Sequence, residues 1–276
     1  MNRLPLVLLA VALAFAFGGC ARAPQPALEA PAGAALDTAL VLDPLVLSLV
    51  SRTTAVRTLR GRAEIEVSAA GWEGSSETEA AVVAERPDHL HLRAYAGPVT
   101  AFDLVCDGDR FWADVRDRRE LWTGSVQALE HRMGIPALGE KLVMALLGDP
   151  FGEPKDARLV SLSADRAVVE WSARGGGVAQ ARIRRLDGVP LGITWIKDGR
   201  TLATVRYDDF VHETDPGLWP RKLTLHWNAP ESSLRLAFHE LTLNRDLPET
   251  AFAPPDPAGA KHVEFGGADS SGEEQR

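Results

Sequence analysis

The sequence predicts a mainly β protein: a strongly curved antiparallel sheet, an incomplete barrel, with a few α-helices covering its concave face. Three observations lead there. Apolar residues recur with a period of two through much of the chain after residue 61. Asp-Gly pairs at 107–108, 187–188 and 198–199 separate these runs as turns between strands do. Helical spacing is confined to two or three short stretches. These are too few to cover both sides of so long a sheet, so the sheet must curl over its own inner face.

The chain opens with Arg3 and an apolar segment from Leu4 to Phe17, followed by small residues, the pattern of an export signal. A spanning helix needs roughly 20 apolar residues, and this segment is shorter. Phe17-Gly18-Gly19-Cys20 resembles the lipobox of bacterial lipoproteins. That resemblance implies a diacylglycerol on Cys20, cleavage before it and acylation of the new amino terminus. Stable anchoring takes more than one acyl chain, and a triacylated Cys20 meets that need. Ala21, where an aspartate favours inner-membrane retention, leans toward the outer membrane and a domain facing the periplasm. Residues 1–19 are thus the signal peptide, and 20–42, rich in Ala and Pro, read as a tether. Residues 43–265 form the folded domain, and the acidic, Gly-containing stretch 266–276 a disordered tail.

Composition narrows the function. The formal charge is −8 over 276 residues. Loss of residues 1–19 removes one further positive charge, which argues against a general binder of nucleic acid or anionic lipid surfaces. With Cys20 acylated, Cys106 has no partner, so the fold stands on packing rather than on disulfides. At 45% hydrophobic residues a real core is available.

Asp43 suits a helix N-cap and Pro44 a first helical position. Leu45, Leu49, Val56 and Leu59 then share one side, and Gly61 ends the run. "GRAEIEVSA", "DHLHLRAYA", "TAFDLVCDG" and "DRFWADV" alternate as half-buried strands. "SVQALEHRMG" reads as a short helix. "ALGEKLVMALLG" sets Leu138, Leu142, Ala145 and Leu146 on one face before Gly148. Seven further strands follow, from "RLVSLS" to "SLRLAFHELTL", with "ARGGGV" as a turn.

No catalytic or metal constellation emerges. His89 and His91 share a strand face but lack the further convergent ligands a metal needs, and read as solvated. Asp107, Asp109, Glu64 and Glu66 are turn and outer-face carboxylates that nothing pairs as acid and base. There is no Gly-x-Ser-x-Gly elbow, and "GDPFGEPK" lacks phosphate-loop spacing. Cys106, inside an apolar strand, reads as an unreactive thiol. Neither an enzyme nor a cofactor is expected.

Four stretches resemble the LolA/LolB superfamily of periplasmic lipoprotein carriers and outer-membrane lipoprotein receptors. They are "LRGRAEIEV", "HLRAYAGPVTAFDLVCDGDRFW", "MGIPALGEKLVMALLGDP" and "LTLNRDLPETAFAPPDPAG". The resemblance implies an incomplete barrel with helices as a lid and a hydrophobic cavity for acyl chains. In the receptor branch a loop after the third strand exposes a leucine that helps deliver cargo. Val99, after Gly97-Pro98, takes that place here. Candidate cavity residues are Leu90 and Leu92, Phe102 and Leu104, then Leu225, Trp227 and Leu236, although the same alternation serves a plain packed core. Expected partners are the membrane, through the N-terminal lipid, lipid or lipoprotein acyl chains, and a periplasmic carrier. The rival reading is an assembly lipoprotein whose curved sheet, or an exposed edge strand, docks a protein partner.

Overall fold

The computed structural model describes residues 38–68, 76–133, 139–148, 154, 156–174, 176–213, 217–228 and 231–265. Helix α1 (Thr38–Ala55) leads into strands β1 (Thr58–Ser68), β2 (Ser76–Glu85), β3 (His89–Ala96), β4 (Val99–Asp107), β5 (Arg110–Val115) and β6 (Glu120–Ser125). Helices α2 (Val126–Met133) and α3 (Glu140–Leu146) follow. Then come β7 (Arg158–Leu162), β8 (Arg166–Ser172), β9 (Val178–Arg184), β10 (Val189–Lys197), β11 (Arg200–His212), β12 (Leu218–Asn228), β13 (Glu231–Leu243) and β14 (Lys261–Phe265).

Among the described residues 14 strands join one sheet in the order β14-β6-β5-β4-β3-β2-β1-β13-β12-β11-β10-β9-β8-β7. The sheet is mainly β structure left open, since β14 and β7 end it without meeting. Pairing is antiparallel except between β14 and β6, which run parallel. The inward residues of nearly every strand, from Phe265 at one edge to Leu159 near the other, belong to a single apolar cluster with the helices. Only a sheet coiled around that cluster can bring its two edges to one core. Register shifts at Arg62/Ala63, Ala94/Tyr95 and Trp195/Ile196 supply local bends. At the first of these, a Cβ on Gly61 would stand 2.5 Å from Glu240 O and 2.7 Å from the Phe238 ring. The Arg-Gly opening of β1 is therefore a packing requirement.

The predicted helix start and end are both corrected. Helix α1 begins at Thr38 and carries Pro44 inside it. Val41 and Leu42, upstream of the proline, pack on the core, and that burial outweighs the hydrogen bond Pro44 cannot donate. The helix stops at Ala55, not Gly61, because Asn244 takes over its end. Asn244 Nδ2 donates to Ala55 O at 2.7 Å, and Asn244 Oδ1 accepts from Arg57 N at 2.8 Å. Val56 and Leu59 are buried as predicted, but as the link and first strand. Strands β2, β6 and β14 had no counterpart in the sequence reading. Cys20, the residues of the tether before Thr38, Leu138 and the tail 266–276 lie outside the described residues.

Past Asn244, residues 245–260 leave β13 in the middle of the sheet and reach β14 at its edge. This strap crosses the outer face, because it meets His91, whose neighbours Leu90 and Leu92 point inward.

Candidate functional site

Two places on this frame could act on something else: the concave face with its helices, and the outer face under the strap.

Helix α3 fills the middle of the trough. Leu142, Val143, Met144, Ala145 and Leu146 are all buried. Its contacts reach β2 and β3 on one side, and on the other Tyr207 Oη donates to Ala145 O at 3.2 Å from β11. Arg86, just after β2, ties the helix ends together. Its Nε donates to Val56 O at 2.9 Å and Nη2 to Leu147 O at 2.6 Å. Helix α1 is fastened at the same end of the sheet. Arg52 Nη1 donates to Leu218 O (2.9 Å), Nη2 to Asp187 O (3.0 Å), and Ser48 Oγ to Gly188 O (3.3 Å).

The predicted cavity residues all reach this concave side. Leu90, Leu92, Leu104, Leu225, Trp227 and Leu236 are buried in the core, and Phe102 is half-buried against it. They pack with each other and with the helices, so among the described residues much of the concave face is occupied. Between α1 and strands β10–β12 lies a narrow seam. Leu49, Tyr207, Phe210, Leu218 and Trp219 wall it, Arg52 stands at it, and its enclosed volume is ≈ 20 Å³. That is room for about one water, whereas ligand pockets run to several hundred Å³. Burial pushes the Arg52 guanidinium below its usual pKa, against the pull of Asp187, and its Nε has no partner among the described residues.

Val99 is 61% exposed, beside the Gly97-Pro98 tip. Leu186 is more so, at 91%, on the β9–β10 turn. Alternating strand directions put these two turns at opposite ends of the sheet. Leu186 shares the end of the seam, one residue from the Asp187 carbonyl that Arg52 grips. Sequence reasoning passed over Leu186; its signal was a leucine set between Arg185 and the Asp-Gly turn, where nothing polar is needed for the turn itself.

On the outer face the two predicted solvated histidines are corrected to half-buried ones. His91 Nδ1 lies 2.7 Å from Ala251 O of the strap, and Nε2 lies 2.7 Å from Asp103 Oδ1. The ring thus bridges the strap and the β4 carboxylate. Arg93 closes on the other carboxylate oxygen at 2.7 and 3.0 Å. Burial resists ionisation of Asp103, but the bonds from His91 and Arg93 outweigh it and hold the carboxyl below its usual range. His89 contacts Asp107 at 3.0 Å and packs on Phe252 of the strap. Among the described residues no group of three His, Cys, Asp or Glu side chains converges as a metal site. Cys106 is buried and its thiol is pushed up to about 12, the inert thiol expected.

No protein-family model and no curated protein matches the sequence. Solved structures do. A domain from Vibrio parahaemolyticus assigned to outer membrane lipoprotein sorting superposes with a TM-score of 0.51, over 76% of this chain and 95% of that one, at 12% identity. A DUF1329 family protein from Desulfovibrio piger gives 0.53 over 77% and 97%, at 9% identity. The chain shares the fold of these two proteins. A LolA superfamily protein from Nitrosomonas europaea lies just beyond, with a TM-score of 0.49 over 74% and 95% at 14% identity. The resemblance read from four sequence stretches holds at the level of the fold.

Proposed function

We propose that this protein is a non-enzymatic lipoprotein of the bacterial outer membrane, held by lipid on Cys20. It receives an acyl chain of a lipid or lipoprotein between α1 and the concave sheet and passes it on to the membrane. The observation that carries the reading is the seam. An aromatic and aliphatic floor meets a helix fastened by side-chain bonds to carbonyls, with one guanidinium N–H beside it that is unpaired among the described residues. With α1 lifted, an acyl chain would lie along that floor, its carboxylate or phosphate head at Arg52. The sorting domain of Vibrio parahaemolyticus, which shares the fold, is consistent with such a role.

The occupied concave face gives the transfer a direction. Lifting α1 exposes Leu45 and Leu49, at roughly 1.5–3 kcal/mol each, and exchanges three hydrogen bonds of about 1 kcal/mol apiece. A chain drawn from a bilayer gains little in return, because it was already out of water. Loading therefore needs a donor such as a periplasmic carrier, and delivery to the membrane runs downhill as α1 closes. Leu186, exposed at the mouth of the seam, is the side chain best placed to enter the acyl layer. Val99, at the far end, is not.

The test is displacement of an environment-sensitive fatty acid from the mature chain, with Leu49→Ala as a widened seam. Saturable binding is expected, at least threefold tighter in the variant. A native circular dichroism spectrum with no binding by either protein would exclude acyl carriage. It would leave the second reading, protein docking on the curved sheet, which the occupied concave face favours.

A further inference from the structure

Strand β14 is an outlier in the sheet. It is the last described element, it pairs in parallel where every other pair is antiparallel, and it is reached only by the long strap over the outer face. Parallel pairing is the weaker kind. Lys261, His262 and Glu264 are exposed, so only Val263 and Phe265 hold the strand through side chains.

The edge that receives it is shaped for an aromatic. Phe265 sits with its ring centroid 5.3 Å from Trp122 and 6.0 Å from Phe111, both tilted against it. Gly124, the residue opposite Phe265, has φ +153°, and a Cβ there would collide with the Phe265 carbonyl. At the entrance, Lys261 N donates to Arg119 O at 2.8 Å, so the incoming chain is registered from its first residue. Because the strap connects at the middle of the sheet, β14 can leave without disturbing the register of any other strand.

We infer that the β6 edge is a peptide-accepting groove, and that Lys261–Phe265 is its resident, displaceable occupant. The partner it fits is an extended segment of another protein that presents a β-branched residue and, two positions on, a phenylalanine, added parallel to β6. Main-chain bonds to β6 supply affinity, and the Phe111–Trp122 socket over Gly124 supplies selectivity. The tethered strand competes at a high effective concentration, so it sets the threshold a partner must exceed. This site lies away from the α1 seam and stands whether or not that seam takes a lipid.

The probe is a fluorescently labelled peptide of residues 260–265, titrated by anisotropy against the full chain. Phe265→Ala, which weakens the resident strand, is expected to bind the peptide at least tenfold more tightly than the wild type. Gly124→Val in the Phe265→Ala background is expected to lose that binding while keeping the near-ultraviolet spectrum of the parent. A peptide with its phenylalanine replaced by alanine tests the socket without any change to the protein, and should bind at least tenfold more weakly. The inference falls if Phe265→Ala shows no saturable binding, or if the alanine peptide binds equally well. Concentration-dependent dimers of the wild type that dissociate in Phe265→Ala would also overturn it, by making a second copy the natural occupant.

Discussion

The two halves of the outer face obey the same alternation and end as different surfaces. On β9 to β13, the outward residues Gln180, Thr194, Arg206, Thr224, His226 and Arg235 are half-buried or exposed, as polar residues facing water should be. On β3 to β6, along the path of the strap, Asp103, Val105, Asp114 and Leu121 are buried. There the polar residues form an ion-pair network, Arg93 and His91 on Asp103 and Arg116 on Asp114. The lesson is that a polar residue on the outward phase of a strand is solvated only if nothing later in the chain comes back to cover it.

The largest effect should come from the covered half. Asp103→Asn leaves His91 and Arg93 facing a neutral amide in a buried place, and should cost about 3 kcal/mol. Arg206→Ala on the open half removes only an exposed pair with Asp208, and should stay within about 0.5 kcal/mol. Urea midpoints measure both, and equal midpoints would erase the distinction. The pH dependence follows from the lowered Asp103 carboxyl. A depressed folded value means the stabilisation is complete above the ordinary carboxylate range of about pH 4 and is lost as pH falls through the lowered value. Asp103→Asn should flatten that part of the acid limb, and Arg206→Ala should leave it as in the wild type.

A middle-sized effect belongs to the hinge where the strap departs. Asn244 holds φ +54°, and its amide bridges Ala55 O and Arg57 N. Asn244→Ala loses two hydrogen bonds and the residue type that tolerates this conformation, about 2 kcal/mol in all. Asn244→Gly should recover the conformational share, about 1 kcal/mol, but not the bonds. Thermal melts of the three proteins separate the two contributions. If Gly and Ala prove equal, the left-handed turn is not what asparagine provides.

These contrasts mark how far the sequence was legible. The seven strands β7 to β13 were readable because most alternate and three of the turns between them carry Gly-rich or Asp-Gly sequence, at 175–177, 187–188 and 198–199. Strand β2 was missed because "SETEAAVVAE" puts Ala81 and Val83 on its outward phase, which blurs the period. Strands β6 and β14 were missed because their partners are distant or short: "ELWTGS" contains a glycine that makes sense only once Phe265 lies across it. Leu90, Leu92, Leu104, Leu225, Trp227 and Leu236 are buried in one cluster, which their alternation alone indicates. How much of the concave face is occupied depends on how deeply α3 sits, which no local pattern encodes. His89 and His91 failed as solvated residues for the same reason, since the strap that covers them starts over 150 residues later.

The smallest effect on stability should carry the most information about function. Leu186 and Val99 are both exposed turn residues, so Leu186→Glu and Val99→Glu should each change the unfolding free energy by less than about 0.5 kcal/mol. Their positions differ: Leu186 adjoins the mouth of the α1 seam, and Val99 sits at the opposite end of the strands. A leucine entering an acyl layer gains roughly 1.5–3 kcal/mol, which a carboxylate forfeits, so transfer of a fluorescent fatty acid to neutral phospholipid vesicles should slow at least tenfold in Leu186→Glu. Val99→Glu should transfer at the wild-type rate. The reverse outcome would place the membrane-facing end at the Gly97-Pro98 tip and detach delivery from the seam. Equal, unimpaired transfer in both would mean that neither turn of the domain brings the mouth to the bilayer.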